Sequence, residues 1–158
     1  MRLREKLGLT GIWRVRYQDP LGGSHGVGRR QWEGGTYRNV ICYNGKALLA
    51  EWLNGENPAL GPIYGAVGTG TAAPASSDVK LQTEIARVAL AVSSRNVSSV
   101  LFDFFFTTGE ANATLTEAGL FLAASSAANA GALLSHVAIS ENKTSSVTMT
   151  LEFSIQVG

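Results

Sequence analysis

From Val147 to Val157 the chain alternates without a break, with Val147, Met149, Leu151, Phe153, Ile155 and Val157 separated by Thr148, Thr150, Glu152, Ser154 and Gln156. Successive side chains of a strand point to opposite faces, so this order puts every apolar group on one side. A helix would scatter the same residues around its circumference. The Thr, Val, Ile and Phe content favours extended structure as well. The segment is therefore a strand with one buried face.

Other segments follow the same rule. Trp13, Val15 and Tyr17 oppose Arg14 and Arg16 in a strand that stops at the Asp19-Pro20 turn signal. Ile63 to Val67, Val88 to Val92, Leu115 to Leu122 and Leu133 to Ile139 are further strands. Leu101 to Phe106 is almost continuously apolar and reads as buried on both faces, with Asp103 as its anomaly. A carboxylate there needs a partner, for which Arg87 is a candidate; exposure at a subunit boundary would serve equally. One helix is expected after Asn44, a capping residue, with Leu48, Leu49, Trp52 and Leu53 at helical spacing and Gly55 as its stop. A helical turn at Asp78 to Glu84 is a second candidate. Short strands separated by turn clusters predict a mainly β protein, an antiparallel β-sandwich or jelly-roll-like barrel with one short helix.

The 158 residues suffice for one domain with a core of its own, burying roughly 70% of the unfolded surface. The single cysteine, Cys42, excludes an intrachain disulfide and a Cys-rich metal set. No stretch has the apolar length of a signal peptide or spanning helix, so the expectation is a soluble protein acting away from membranes. Residues 1 to 40 carry eight Lys/Arg against three acidic groups, while the rest carries five against nine. This asymmetry divides the chain into a basic arm, strand and Gly-rich loop over residues 1–38 and a sandwich over 39–158. The arm suits docking on an acidic surface such as another copy, although a solvated basic segment explains the charge equally well. Gly22 to Gly35, rich in Gly, Arg and Ser, reads as an extended loop ordered by a partner. Trp13, Tyr17 and Trp32 interleave with the arginines, but the whole-chain pI of about 7.9 lies far below the basic range of nucleic-acid-binding domains.

Gly22-Gly23-Ser24-His25-Gly26 matches a nucleophile-elbow pattern, but no strand precedes it and no helix follows. His136 is the other histidine, and Asp78 or Asp103 would have to orient it in a triad. Gly65, Gly68 and Gly70 lack the Lys-Ser/Thr of a phosphate loop and read instead as places where a strand bends or meets another backbone closely. Asp103, Glu110 and Glu117 lie near enough in sequence for a sheet to pair two of them for acid/base work, but turn and strand-edge carboxylates are the plainer reading. The Asn-x-Ser/Thr triplets at Asn96, Asn112 and Asn142 read as turn residues. These residues predict no enzyme, metal or cofactor.

Several segments, taken in order, resemble a family of tailed-bacteriophage virion proteins of the tail, fibre or head-fibre type. They are Asn39-Val40-Ile41, the Asn44-Gly45 turn, Ala66 to Pro74, then Asp78, Leu81, Glu84 and Arg87. Phe104-Phe105-Phe106, Glu110-Ala111-Asn112, Thr116 to Phe121 and Lys143-Thr144 complete the pattern, which spans residues 39–157. The first forty residues match less well. The resemblance implies a virion protein that is not an enzyme, made in the host cytoplasm, with no catalytic residue to carry over. It implies a tail, baseplate or fibre-attachment component that assembles with copies of itself, as a trimer or around the tail axis, and with other virion proteins. A capsid decoration or head-fibre protein is the alternative, and a carbohydrate-binding module using Trp32 and Tyr37 on a host glycan the more remote one. Trp13, Arg14, Arg16, Tyr17, Arg29, Arg30 and Trp32 are the candidate interface residues, because Trp, Tyr and Arg dominate interface energetics. The alternating strand makes core burial an equal expectation for Trp13.

Overall fold

The computed structural model describes residues 8–20, 31–57 and 59–158. The described chain runs β1 (Leu9–Gln18), β2 (Gln31–Arg38), β3 (Val40–Ile41), α1 (Tyr43–Leu53), β4 (Tyr64–Gly68), β5 (Glu84–Ala89), β6 (Val92–Asn96), β7 (Ser99–Phe106), β8 (Thr114–Leu122), β9 (Ala132–Asn142) and β10 (Thr148–Val157). Two five-stranded sheets result, sheet I in the order β2-β1-β10-β7-β6 and sheet II in the order β3-β9-β8-β4-β5. The described pairings are antiparallel, and the two sheets pack face to face as a β-sandwich.

β10 carries the alternation read from the sequence. Met149, Leu151 and Phe153 have no exposure and Ile155 has 6%, while the intervening residues face outward. Its partners repeat the pattern, with Trp13 and Val15 of β1 on one side and Phe104 and Phe106 of β7 on the other. Sheet II closes this core with Leu115, Leu120 and Leu122 of β8 and Leu134 and Ile139 of β9. Burying a Leu, Phe or Met side chain contributes about 1.5–3 kcal/mol, so this layer is the main source of stability.

The expected boundary at residue 38 is not a division of the fold. β1 sits between β2 and β10 inside sheet I, because Trp13, Val15 and Tyr17 complete the core layer. Gln31 to Gly35, expected within a loop, begins β2. Leu101 to Phe106, expected to be buried on both faces, is a one-sided strand in which Phe104 and Phe106 are buried and Phe105 is 44% exposed. The outward face of sheet I is solvated, which is why one side of that apolar run is polar at Asp103.

α1 ends where Gly55 adopts a φ of +78°, as expected of a helix stop. Its start differs: Cys42 is the N-cap, Asn44 lies inside the helix, and the Tyr43 N–H donates to the Ser76 carbonyl at 2.8 Å. A neighbouring loop thus does the work expected of a capping side chain. The helix packs on β9 at Gly45, where a Cβ would lie 2.3 Å from the Leu134 Cα. Asp78 to Lys80 form no helical turn; Asp78 instead accepts the Ala75 N–H at 2.7 Å.

Candidate functional site

The polar groups with the greatest chemical potential lie on the outward face of sheet II, where β8 and β9 place Glu117 and His136 side by side. Glu117 is 2% exposed and His136 1% exposed. A carboxylate so buried needs several donors. Glu117 receives three, the N–H groups of Gly70 at 3.0 Å, Gln82 at 3.0 Å and Thr83 at 2.7 Å, and it meets His136 Nε2 at 3.0 Å. The segment between β4 and β5 is thereby folded around one side chain. Gly68 and Gly70 make this possible, since a Cβ on either would lie 2.5 Å from Glu117 Oε1. The sequence reading of close approach at these glycines holds, and the surface approached is a carboxylate as well as a backbone.

His136 Nδ1 meets Asp78 Oδ2 at 2.7 Å, so both ring nitrogens face carboxylates. The two contacts require two protons, supplied either by an imidazolium or by a neutral ring with one carboxylic acid. Burial works against the charge of Asp78, but the Ala75 N–H and His136 outweigh it and hold the carboxyl below its usual range. Of the two acids expected to orient His136, Asp78 does so. Asp103 lies on the other sheet.

Cys42 adjoins this lattice, fully buried, with its Sγ 3.8 Å from the Ala75 carbonyl. Burial, reinforced by the charge of Asp78 and opposed by Lys46 and the His136 N–H, pushes its thiol up to about 11. A thiol that stays protonated and is closed to solvent is not a nucleophile. The geometry therefore makes Glu117, His136 and Asp78 a scaffold for loops. Beneath that scaffold, Leu81, Phe121, Leu133, Ala66 and Ala124 form a small second core.

Arg87 does not reach Asp103. It extends over the outward face of sheet II, paired with Glu84 at 2.5 and 2.8 Å and donating to the carbonyls of Ser125 and Ala130. Its guanidinium stands 4.6 Å from the Phe121 ring centroid, and Glu84 also accepts the Asn129 N–H at 3.0 Å. The 123–131 segment is fixed by this pair, which is itself nearly closed to solvent. Asp103 instead faces Arg16 at 3.4 Å, and Arg16 also reaches Glu152 at 3.2 Å. Burial pushes the Asp103 carboxyl up, Arg16 opposes that, and the charge of Glu152 adds to it.

The other residues singled out in the sequence fall into three groups. Trp13 and Tyr17 are interior: the Trp13 ring packs against Phe153 and Phe104, with centroids 4.7 and 6.3 Å away, and its Nε1 donates to Ser135 Oγ at 2.9 Å. The Tyr17 hydroxyl donates to Glu141 at 2.6 Å, and Tyr37 and the Gly35 N–H complete that carboxylate's partners at 2.8 and 2.6 Å. Neither Trp13 nor Tyr17 is a surface anchor, because the alternation of β1 turns both inward. Arg14, Arg16 and Trp32 lie at the surface, Arg14 bonded to Glu152 and Trp32 stacked on Tyr17 while 43% exposed. Arg29 and Arg30, with Ser24 and His25, lie outside the described residues.

Asp103, Glu110 and Glu117 are not assembled into an acid/base pair. They serve an ion-pair ladder, a turn at Thr107 and the β4–β5 segment respectively. Among the described residues no group of three His, Cys, Asp or Glu side chains is arranged to hold a metal ion, and no helix is long and apolar enough to cross a membrane. An open cavity of about 670 Å³ lies beside α1, walled by Leu9, Leu49, Trp52, Leu53 and Val157. Among the described residues that line it, Lys46 is the charged one. No family model matches this chain, and no curated protein or solved structure resembles it significantly.

Proposed function

We propose that the chain is a structural protein of a tailed-bacteriophage particle that is not an enzyme: a tail, baseplate or fibre-attachment component that assembles as a symmetric oligomer. The observation that carries this reading is the use to which the virion-like segments are put. From these segments Gly70, Asp78, Leu81, Glu84, Arg87, Glu117 and Phe121 meet on the outward face of sheet II, while Val67, Ala118 and Leu120 turn into the main core. There, Glu117 and the Glu84–Arg87 pair spend their hydrogen bonds holding the 69–83 and 123–131 segments. A pattern whose polar residues shape a surface suits a building block, whereas a catalytic pattern would direct at least one of them into a cleft.

Assembly would use sheet edges and exposed aromatic and basic groups. β2 and β6 are the edges of sheet I, and exposed edges can pair with another chain. Trp32 on β2 and Arg14 on β1 are the surviving candidate contacts from the sequence. The glycan-binding reading loses half of its aromatic pair, since Tyr37 is tied to Glu141 and Ser140.

Labelling this chain on intact particles tests the proposal. Density along the tail is the expected result; density on the shell would replace the tail role with capsid decoration, and absence from particles would overturn both. Light scattering on the full chain should show an oligomer that Trp32→Ala weakens. Deleting residues 1–38 would not isolate an arm, because it removes two strands of sheet I.

A further inference from the structure

Lys143 is 1% exposed, yet its Nζ donates to a neutral group, Asn112 Oδ1, at 2.9 Å. Arg87, the comparably buried cation on sheet II, has a carboxylate in direct contact. A buried ammonium with three donors ordinarily demands such a partner. Burial accordingly holds the Lys143 amine below the usual lysine range, with the charge of Glu110 opposing. A neutral lysine amine is a nucleophile.

The surroundings fix both groups. The Asn112 amide is oriented by its own Nδ2, which donates to the Thr108 carbonyl at 2.8 Å, so Oδ1 is the atom turned to Lys143. The Lys143 N–H donates to the Ala113 carbonyl at 3.1 Å, locking the two segments in register. Between Glu110 and Asn112, the buried Ala111 holds a φ of +56°, a left-handed conformation that a side chain other than glycine rarely takes. Such backbone persists where the surroundings over-determine it, and here it keeps the Glu110-Ala111-Asn112 turn in place. An amine held against an amide in one geometry has the positional advantage of an intramolecular reaction.

We propose that Lys143 and Asn112 join in an intramolecular isopeptide bond. The Nζ lone pair attacks Asn112 Cγ, a proton passes from Nζ to Nδ2, and the Cγ–Nδ2 bond then breaks. A carboxamide and an amine become a secondary amide and ammonia, with no oxidant, reductant or external reagent. Asn112 is exposed as a residue, which gives the ammonia a way out. The cross-link ties the β7–β8 connection to the β9–β10 connection across 31 positions of sequence, bracing one end of both sheets. The inference stands on this geometry and does not depend on the assembly role.

The intact mass of the purified full chain decides it. The folded protein should be one ammonia lighter than its sequence, and a digest should contain a branched peptide holding Asn112 and Lys143. Lys143→Arg and Asn112→Ala should restore the full mass and lower Tm by roughly 10 °C, as loss of a cross-link of this span predicts. Wild-type protein at full mass would overturn the proposal even if the variants failed to fold. Loss of ammonia that persists in Lys143→Arg would overturn it too, by placing the loss in a succinimide at Asn112.

Discussion

On the outward face of sheet I, Arg14 and Arg16 meet Glu152 and Asp103 in a cross-strand ladder at 3.2 to 3.4 Å, with the Arg14 side chain 54% exposed. On the outward face of sheet II, Glu117 and the Glu84–Arg87 pair are closed off from water by the segments they bind. Both faces are the polar side of an alternating strand pattern. They differ in what covers them. Solvent screens the exposed Arg14 guanidinium, so its pair with Glu152 contributes little, whereas Arg16 and Asp103 are partly covered. On sheet II the 69–83 and 123–131 segments replace water with backbone donors and acceptors, and each charge becomes the organising centre of a loop. Charged residues on a sheet thus decorate one surface and build the other.

Breaking the lattice on sheet II should have the largest effect. Glu117→Ala leaves the N–H groups of Gly70, Gln82 and Thr83 without their acceptor and His136 Nε2 without its partner. The expected loss is about 3–5 kcal/mol in denaturant unfolding, with proteolysis within residues 69–83 appearing first. A loss as small as that of a surface pair would erase the distinction between the faces.

The carboxylate at the junction of the sheets comes next. Tyr17→Phe removes the 2.6 Å bond to Glu141 and should cost about 1.5–3 kcal/mol near neutral pH. Burial, with the neighbouring Glu141 charge and hydrogen bond, raises the Tyr17 pKa far above its ordinary value of about 10. Its stabilising contribution is therefore complete below pH ~10 and falls as the pH climbs toward the folded value, because only the unfolded tyrosine readily ionises. Melting curves of the wild type should show an alkaline loss that Tyr17→Phe flattens.

Asp78 gives the opposite sign. Its folded pKa is lowered despite burial, so its contribution is present above pH ~4 and disappears as acidification carries the carboxyl through its folded value. Asp78→Asn should cost about 1 kcal/mol at neutral pH and shrink the acid limb of a pH–stability profile. An unchanged acid limb would show that His136 does not depend on this partner.

The smallest effect belongs to sheet I. Arg14→Ala should cost about 0.2–1 kcal/mol and less in high salt. A cost approaching that of Glu117→Ala would mean the exposed ladder is braced in a way its solvent exposure does not suggest.

Much of the sandwich was legible in the chain. The alternation of β10 and β1 gave strand, face and buried residues together, and Trp13 is interior for the same reason that Phe153 is. Gly55 marked its helix end because a left-handed residue there favours glycine. The lattice was not legible. Glu117 and Gly70 are 47 positions apart, and Asp78 and His136 are 58 apart. Gly68 and Gly70 carried part of the signal, since neighbouring glycines beside a strand announce a close approach without saying to what. Asp103 showed the same limit: its need for a partner was evident, but the choice between Arg87 and Arg16 depended on which strand lay two places across in its sheet.

By itself the sequence determined the one-sided strands β1 and β10, with their inward faces, and the mainly β class, because side-chain alternation is a property of the extended backbone and needs no distant partner. Tertiary structure decided that β1 and β2 belong to sheet I, that Arg87 meets Glu84 instead of Asp103, and that Lys143 is held against Asn112. Those outcomes follow from strand order and register. Segments far apart in the chain settle both together, by burying apolar faces and finding acceptors for every donor they enclose.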